Sequence, residues 1–220
     1  MGIKVIVTGA TGMVGEGVML TCIDNPLISA ILLVTRRPSG VNHPKVTEVI
    51  VPDFFHLESY AEQLKGYDAC FFCAGVTSIG KTEESYYDLT YHPAISFAKI
   101  VAKLNAGMVF TYVSGQYTDS TEKGKVMWAR IKGKTENDLM RLPFKNVFCF
   151  RPGMMKAIPG QKRLLKIYPY FAWLYPIIKA LKPNSACTLE EVGTAMIHAA
   201  TKGYPKNILE VGDIMVLARS

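Results

Sequence analysis

Eight residues near the start, Thr8-Gly9-Ala10-Thr11-Gly12-Met13-Val14-Gly15, place three glycines where a strand-like run gives way to a helix-like one. Glycines let a backbone approach a diphosphate closely, and the unpaired N–H groups at a helix start, with the positive end of its dipole, face that negative charge. The spacing departs from the usual G-x-G-x-x-G, and a tight turn with close helix packing would use the same residues. Position at the first strand-helix junction favours the diphosphate. After the next apolar run, where an acidic residue would accept the hydrogen bonds of an NAD ribose, the chain reads Val34-Thr35-Arg36-Arg37-Pro38. A carboxylate there would repel a 2′-phosphate, whereas guanidinium groups bind it bidentately or stack on adenine. NADP(H) is therefore favoured over NAD(H), with a solvated basic turn as the plainer alternative.

Two further strand ends carry weaker signals. Asp53-Phe54 offers a carboxylate for an adenine amino group, and the small residues of Cys73-Ala74-Gly75 would let the middle of a dinucleotide lie against backbone. Cys70 and Cys73 have C-x-x-C spacing, but residues three apart in a strand face opposite sides, so small buried side chains are expected rather than a metal or redox pair. His43, His56, His92 and His198 show no metal-ligand spacing. No metal is expected.

The elements that must position these residues follow from pattern. Apolar, β-branched runs at Ile3-Val7, Ala30-Thr35, Val46-Val51, Ala69-Cys73, Met108-Val113 and Val147-Phe150 lack polar alternation, as strands buried on both faces should. Helical stretches lie between them: Met13-Asp24, Leu57-Leu64, Glu83-Leu104 with Pro93 breaking or kinking it, and Val126-Leu142, with Leu189-Thr201 later in the chain. The alternation predicts an α/β fold, a Rossmann-type doubly wound parallel sheet whose ligands sit outside the carboxyl ends of the strands. One domain, 1–220, is expected, with residues 154–206 contributing a small substrate-side region. Within it the uncharged stretch Ile167 to Ile178 is about a dozen residues, short of the ~20 needed to span a membrane. A kinked helix packed on the core is expected there, with an interfacial membrane contact as the alternative.

Composition bounds the partners. The 220 residues are 49% hydrophobic and 20% charged, which excludes a disordered chain. A formal charge of +7 suits a polyanionic ligand, while scattered basic residues and missing motifs speak against nucleic acid. Five cysteines, an odd number in a chain that needs no staples, are expected to be reduced. The start shows no signal-peptide pattern, so the expected location is cytoplasmic. A small-molecule substrate is expected, and a homodimer is left open.

Tyr112-Val113-Ser114-Gly115 closes the fifth run, Trp128-Ala129-Arg130-Ile131-Lys132-Gly133 lies on the following helix with Glu136, and Arg151-Pro152-Gly153-Met154 follows the sixth run. With Thr8 to Gly15, Arg36-Arg37, Asp53-Phe54 and Ala74-Gly75, the chain resembles the atypical short-chain dehydrogenase/reductases over nearly its whole length. The branch it is similar to is the small one typified by the Tat-interacting-protein oxidoreductases. The resemblance implies an oxidoreductase acting on a small carbonyl or alcohol. It implies that Ser114 bonds a substrate carbonyl, that Lys132 holds the nicotinamide ribose, and that the turn Pro152-Gly153-Met154 approaches the nicotinamide amide. It also implies a tyrosine four residues before Lys132 as general acid, and here that position is Trp128. An indole N–H does not exchange a proton near neutral pH, so another group must substitute or the chemistry is lost. Tyr117 is the nearest candidate, with Tyr87 and Tyr91 behind it. A non-catalytic NADP(H)-binding regulator is the rival reading. Sugar-nucleotide epimerases of the same resemblance carry a longer C-terminal region and are set aside.

Overall fold

The structure is a computed structural model describing residues 2–54, 57–164 and 168–220; His56 and Ile167, singled out above, lie outside them. Seven parallel strands form one sheet: β1 (Ile3–Thr8), β2 (Ile28–Thr35), β3 (Val46–Ile50), β4 (Ala69–Phe72), β5 (Val109–Val113), β6 (Asn146–Arg151) and β9 (Ile208–Glu210). Their order, β3-β2-β1-β4-β5-β6-β9, reverses direction at β1, the switch point at which doubly wound sheets bind ligands. Thr8 pairs with Val34 on one side and Phe72 on the other, and Val113 pairs with Phe150, so the motif-bearing turns line one edge.

Side-chain alternation splits each strand between two cores. Val5, Val7, Ile31, Leu33, Phe71 and Phe150 face α1 (Met13–Asp24), α6 (Leu189–Thr201) and α7 (Val211–Ala218). Ile6, Leu32, Val34, Cys70, Phe72 and Tyr112 face α2 (Glu83–Leu104) and α3 (Met127–Leu139). Cys70 and Cys73 fall on opposite sides of this division, and all five cysteines are free. Helices α1 and α6 touch through glycine: a Cβ on Gly17 would meet Leu189 at 2.9 Å, and one on Gly193 would meet Thr21 at 2.7 Å.

Three local expectations change. Leu57–Leu64 winds as 3₁₀ turns, because only Leu57 and Leu64 of its side chains are buried and a short connector has little packing to favour α geometry. Helix α2 runs through Pro93 without a break; its buried face, from Tyr86 through Phe97 to Val101, outweighs the proline penalty of roughly 3 kcal/mol. The expected kinked helix is three pieces, α4 (Tyr168–Phe171), a 3₁₀ turn (Ala172–Leu174) and α5 (Tyr175–Leu181), with Tyr170 and Trp173 mostly exposed. Pro176, at the start of α5 and without an N–H, denies that helix a hydrogen-bond ladder shared with the turn before it.

The expected substrate-side region, 154–206, divides in the structure. Its first part holds the two-stranded parallel sheet of β7 (Met154–Lys156) and β8 (Ala186–Thr188), whereas α6 belongs to the core with α1. After α6 the chain forms β9, which extends the main sheet, and then α7. Among the described residues no helix is long and apolar enough to cross a membrane.

Candidate cofactor and active site

The glycines between β1 and α1 have different reasons to be glycine. Gly9 takes a left-handed φ of 73°, and a Cβ on it would lie 2.7 Å from the Ala74 nitrogen; one on Gly15 would meet the Gly9 carbonyl at 2.2 Å. These two are demanded by the fold. Beneath them the buried Thr8 hydroxyl accepts the amides of Cys73 and Ala74 at 3.2 Å each, tying the turn after β4 to the turn after β1. A Cβ on Gly12 would touch only the Gly9 carbonyl at 3.4 Å, and one on Gly75 would find open space within 4 Å. Gly12 is also the N-cap of α1, with no side chain capping the helix. Fold packing alone asks for neither glycine, and both leave room where a diphosphate approaches a helix start.

Around this cradle, Thr11 is exposed, Ala10 and Met13 are buried, and Val14 packs on the α1 core. Arg36 and Arg37 are exposed at the carboxyl end of β2, with no acid paired to them among the described residues. Asp53 is exposed at the end of the third strand run. Phe54 corrects an expectation: its ring lies in the core, 5.4 Å from the Phe97 centroid and 6.4 Å from that of Phe72, so the side chain belongs to packing. These residues fit a dinucleotide: room at Gly12 and Gly75, an uncapped helix start and unpaired guanidinium groups beyond β2.

Past β5 the side chains are engaged with one another. Ser114 is buried, and its hydroxyl donates to Glu136 Oε1 at 2.5 Å rather than facing a ligand. Fully buried Glu136 receives both Arg151 Nε at 3.0 Å and Arg151 Nη2, a two-pronged ion pair between α3 and β6. The same guanidinium reaches Ser120 Oγ and, at 3.2 Å, Glu210 on β9. Lys132, one helical turn before Glu136, donates to the Ser114 carbonyl. Burial pushes its ammonium down to about 8, with Glu136 partly opposing the shift.

Trp128 is half-buried on the first turn of α3, and its indole N–H has no protein partner among the described residues. Tyr117 stands 77% exposed with a φ of 69°, two residues past the Gly115 turn. Tyr91 donates to Asp138 at 2.7 Å; burial, and then that carboxylate, push its phenol above the usual range. Tyr87 stacks on Tyr91 with centroids 4.6 Å apart. The structure thus brings Ser114 and Lys132 together, and places Tyr87 and Tyr91 on the Asp138 side of α3. Gly153 is glycine because a Cβ would meet the Ser185 carbonyl at 2.2 Å, while the Pro152 carbonyl accepts the Gln116 amide at 2.9 Å. Met154 begins β7. His43 Nδ1 accepts the Lys45 amide, His92 lies 3.6 Å from Asp88, and His198 meets the Leu217 carbonyl.

Sequence reading missed the way Glu136 and Arg151 spend their charges, and it missed a strap over α1. Gln161 Nε2 donates to the Met13 carbonyl at 2.6 Å, and the backbone amides of Lys162 and Arg163 donate to the Glu16 carboxylate. The polar pair Gln161 and Glu16, both over 90% buried, is the trace this contact leaves in the composition of otherwise ordinary segments.

Comparison with known proteins agrees with this geometry. Over 212 residues the chain is 27% identical to the protein fmp52, mitochondrial, of Emericella nidulans, covering 90% of this chain and 88% of that one. It is 25% identical to the corresponding protein of Debaryomyces hansenii, covering 89% and 87%. Both names carry the word mitochondrial, which overturns the cytoplasmic expectation drawn from the N-terminal residues. Among solved structures, the Helicobacter pylori ADP-L-glycero-D-manno-heptose-6-epimerase superposes with a TM-score of 0.68 at 14% identity, covering 99% of this chain and 81% of that one. A protein from Agrobacterium tumefaciens solved with bound NADP gives 0.64 at 15%, covering 97% and 96%. At these identities the likeness is one of fold, a Rossmann-type α/β sheet. Residues 5–126, over half the chain, match the NAD dependent epimerase/dehydratase family, and the chain belongs to it.

Proposed function

We propose that this member of the NAD dependent epimerase/dehydratase family binds NADP(H) in preference to NAD(H) and exchanges a hydride with a small carbonyl or alcohol. The observation that carries the reading is Arg36-Arg37, two exposed guanidinium groups without acid partners among the described residues, at the position where an NAD site presents a carboxylate. When bound, the cofactor supplies or accepts the hydride. The chain's part is to receive the diphosphate over Gly12 and Gly75, to hold ribose hydroxyls with the Lys132 ammonium, and to orient the carbonyl. Pro152, Gly153 and Met154 would flank the nicotinamide end. The proton for the carbonyl oxygen would come from Tyr117, the exposed phenol nearest in sequence to Ser114, since Tyr112 is buried.

Titration of NADPH and NADH at one salt concentration tests the preference. Replacing Arg36 and Arg37 together by alanine is expected to erase it, since charge-assisted bonds are worth roughly 1.5–3 kcal/mol each. Equal affinities in the unaltered protein would refute the reading. One observation favours a second reading, a non-catalytic NADP(H)-binding regulator: the Ser114 hydroxyl is already committed to Glu136, and Trp128 stands where the acid is expected. NADPH oxidation against a panel of aldehydes and ketones, with Tyr117→Phe alongside, separates the two. Turnover lost in Tyr117→Phe with NADPH affinity intact supports catalysis; tight NADPH binding with no turnover supports the regulator.

A further inference from the structure

The geometry points to Arg163 as a third arginine of the 2′-phosphate site, carried there by the strap that crosses α1. This deepens the NADP(H) reading above and rests on it. The strap is anchored at three points on the first turns of α1. Gln161 Nε2 is bonded to the Met13 carbonyl at 2.6 Å, and the Lys162 and Arg163 amides reach Glu16 Oε1 and Oε2 at 3.2 and 2.5 Å. Gln161 Oε1 also accepts the Ile158 amide at 3.2 Å, which holds the approach to the strap. Gln161 and Glu16 are each 8% exposed, so these are built contacts, and a surface chain resting loosely on a helix would leave both groups wet.

The anchoring fixes where the Arg163 side chain starts, and the side chain then leaves α1 for the turn after β2. Its Nη2 lies 3.4 Å from the Ser39 carbonyl, two residues past Arg37. A guanidinium that spends one N–H on a carbonyl at that distance keeps most of its five donors, and no acid among the described residues pairs with it. Arg36, Arg37 and Arg163 thus flank one short turn, all three exposed and all three without a carboxylate partner among the described residues. Glu48, a carboxylate beside the turn, is engaged by the turn itself, accepting the Ser39 amide at 2.9 Å and the Thr35 hydroxyl at 3.1 Å. Three like charges around one turn repel one another in the empty protein. A dianionic phosphate monoester relieves that repulsion and satisfies the donors, whereas a ribose hydroxyl does neither. Discrimination for the 2′-phosphate is therefore shared between the β2 turn and a segment more than a hundred residues later.

The test compares the unaltered protein, Arg163→Gln and Arg163→Lys by calorimetric titration with NADPH, NADH, 2′,5′-ADP and 5′-AMP, with melting temperature without ligand as a fold control. Arg163→Gln is expected to weaken NADPH and 2′,5′-ADP by about tenfold, the loss of one charge-assisted bond, and to leave NADH and 5′-AMP unchanged. Arg163→Lys, which keeps the charge but not the planar fork, should fall between. An unaltered protein that prefers NADPH together with an Arg163→Gln variant of equal preference would overturn the role of Arg163 and leave the Arg36-Arg37 reading standing. Equal weakening of all four ligands would also overturn it, since Arg163 would then serve the strap and not the phosphate. An unaltered protein without NADPH preference would remove both.

Discussion

The two ends of the strand edge are prepared in opposite ways. From β1 to β2 and β4 the molecule keeps room and unpaired charge: no Cβ at Gly12 or Gly75, an uncapped helix start, and arginines that no acid among the described residues pairs with. From β5 to β6 each of the main polar groups is spent inside the protein: the Ser114 hydroxyl on Glu136, Lys132 on the Ser114 carbonyl, Arg151 on Glu136, Ser120 and Glu210. An unsatisfied group waits for a ligand, while a satisfied one holds the fold together. On the proposed reading, binding at the first end would need no rearrangement, whereas chemistry at the second would require Ser114 to exchange an internal partner for an external one.

The sharpest way to break that contrast is to close the open end. Gly12→Val places a branched side chain in the diphosphate space and should abolish cofactor binding while the protein stays folded, because the nearest atom to the new Cβ is 3.4 Å away. A cofactor-dependent rise in Tm that survives the change would show that the room at Gly12 is not used. At the satisfied end the expected effect falls on stability. Glu136→Ala strands the Arg151 charge in a buried setting and should cost about 3–5 kcal/mol, read by urea unfolding. A loss under 1 kcal/mol would mean that Arg151 finds enough in Ser120 and Glu210.

Trp128→Tyr asks whether the satisfied end lacks only an acid. It sets a phenol one helical turn before Lys132, on the same helix face, and carbonyl reduction should rise by at least ~10-fold, against the ~10²–10⁴ typical of a well-placed general acid. No gain with any aldehyde or ketone would favour the regulator. The smallest expected effect is a slope. Lys132 releases its proton near 8 in the folded protein and near the usual 10.5 in the unfolded chain, so between those values the unfolded chain binds more protons. Stability should accordingly rise with pH across that window, the cost of the buried charge being full below 8 and relieved above 10.5. The difference between the unaltered protein and Lys132→Met, measured by urea unfolding from pH 7 to 10.5, isolates this term. A flat difference would mean that the ammonium is hydrated.

What could be read in advance was what local pattern encodes. Continuous apolar, β-branched runs placed the first six strands, and the break between Thr8 and Met13 placed the cradle. Gly12 and Gly9 look alike in sequence, and only the position of Ala74 tells the glycine with room beside it from the one the fold demands. The Ser114–Glu136–Arg151 system joins residues 15 and 22 positions apart, and the contact of Arg163 with Glu16 spans 147, so neither leaves a spacing to recognise. Strand β9 was hidden by its length of three residues, too short for a period to show.

The glycine contact between α1 and α6 also sets an order of events in synthesis. Helix α1 is among the first segments made, yet the face carrying Val18, Met19 and Cys22 is covered by a helix that is among the last. At ~5–20 residues per second, the earlier helix waits on the order of ten seconds for its lid. Throughout that interval a nascent chain exposes an apolar stripe beside the cradle, and a contact of such long sequence separation closes slowly once both partners exist. The first helix written is thus sealed late, and during translation the chain depends on whatever shields hydrophobic surface near the ribosome.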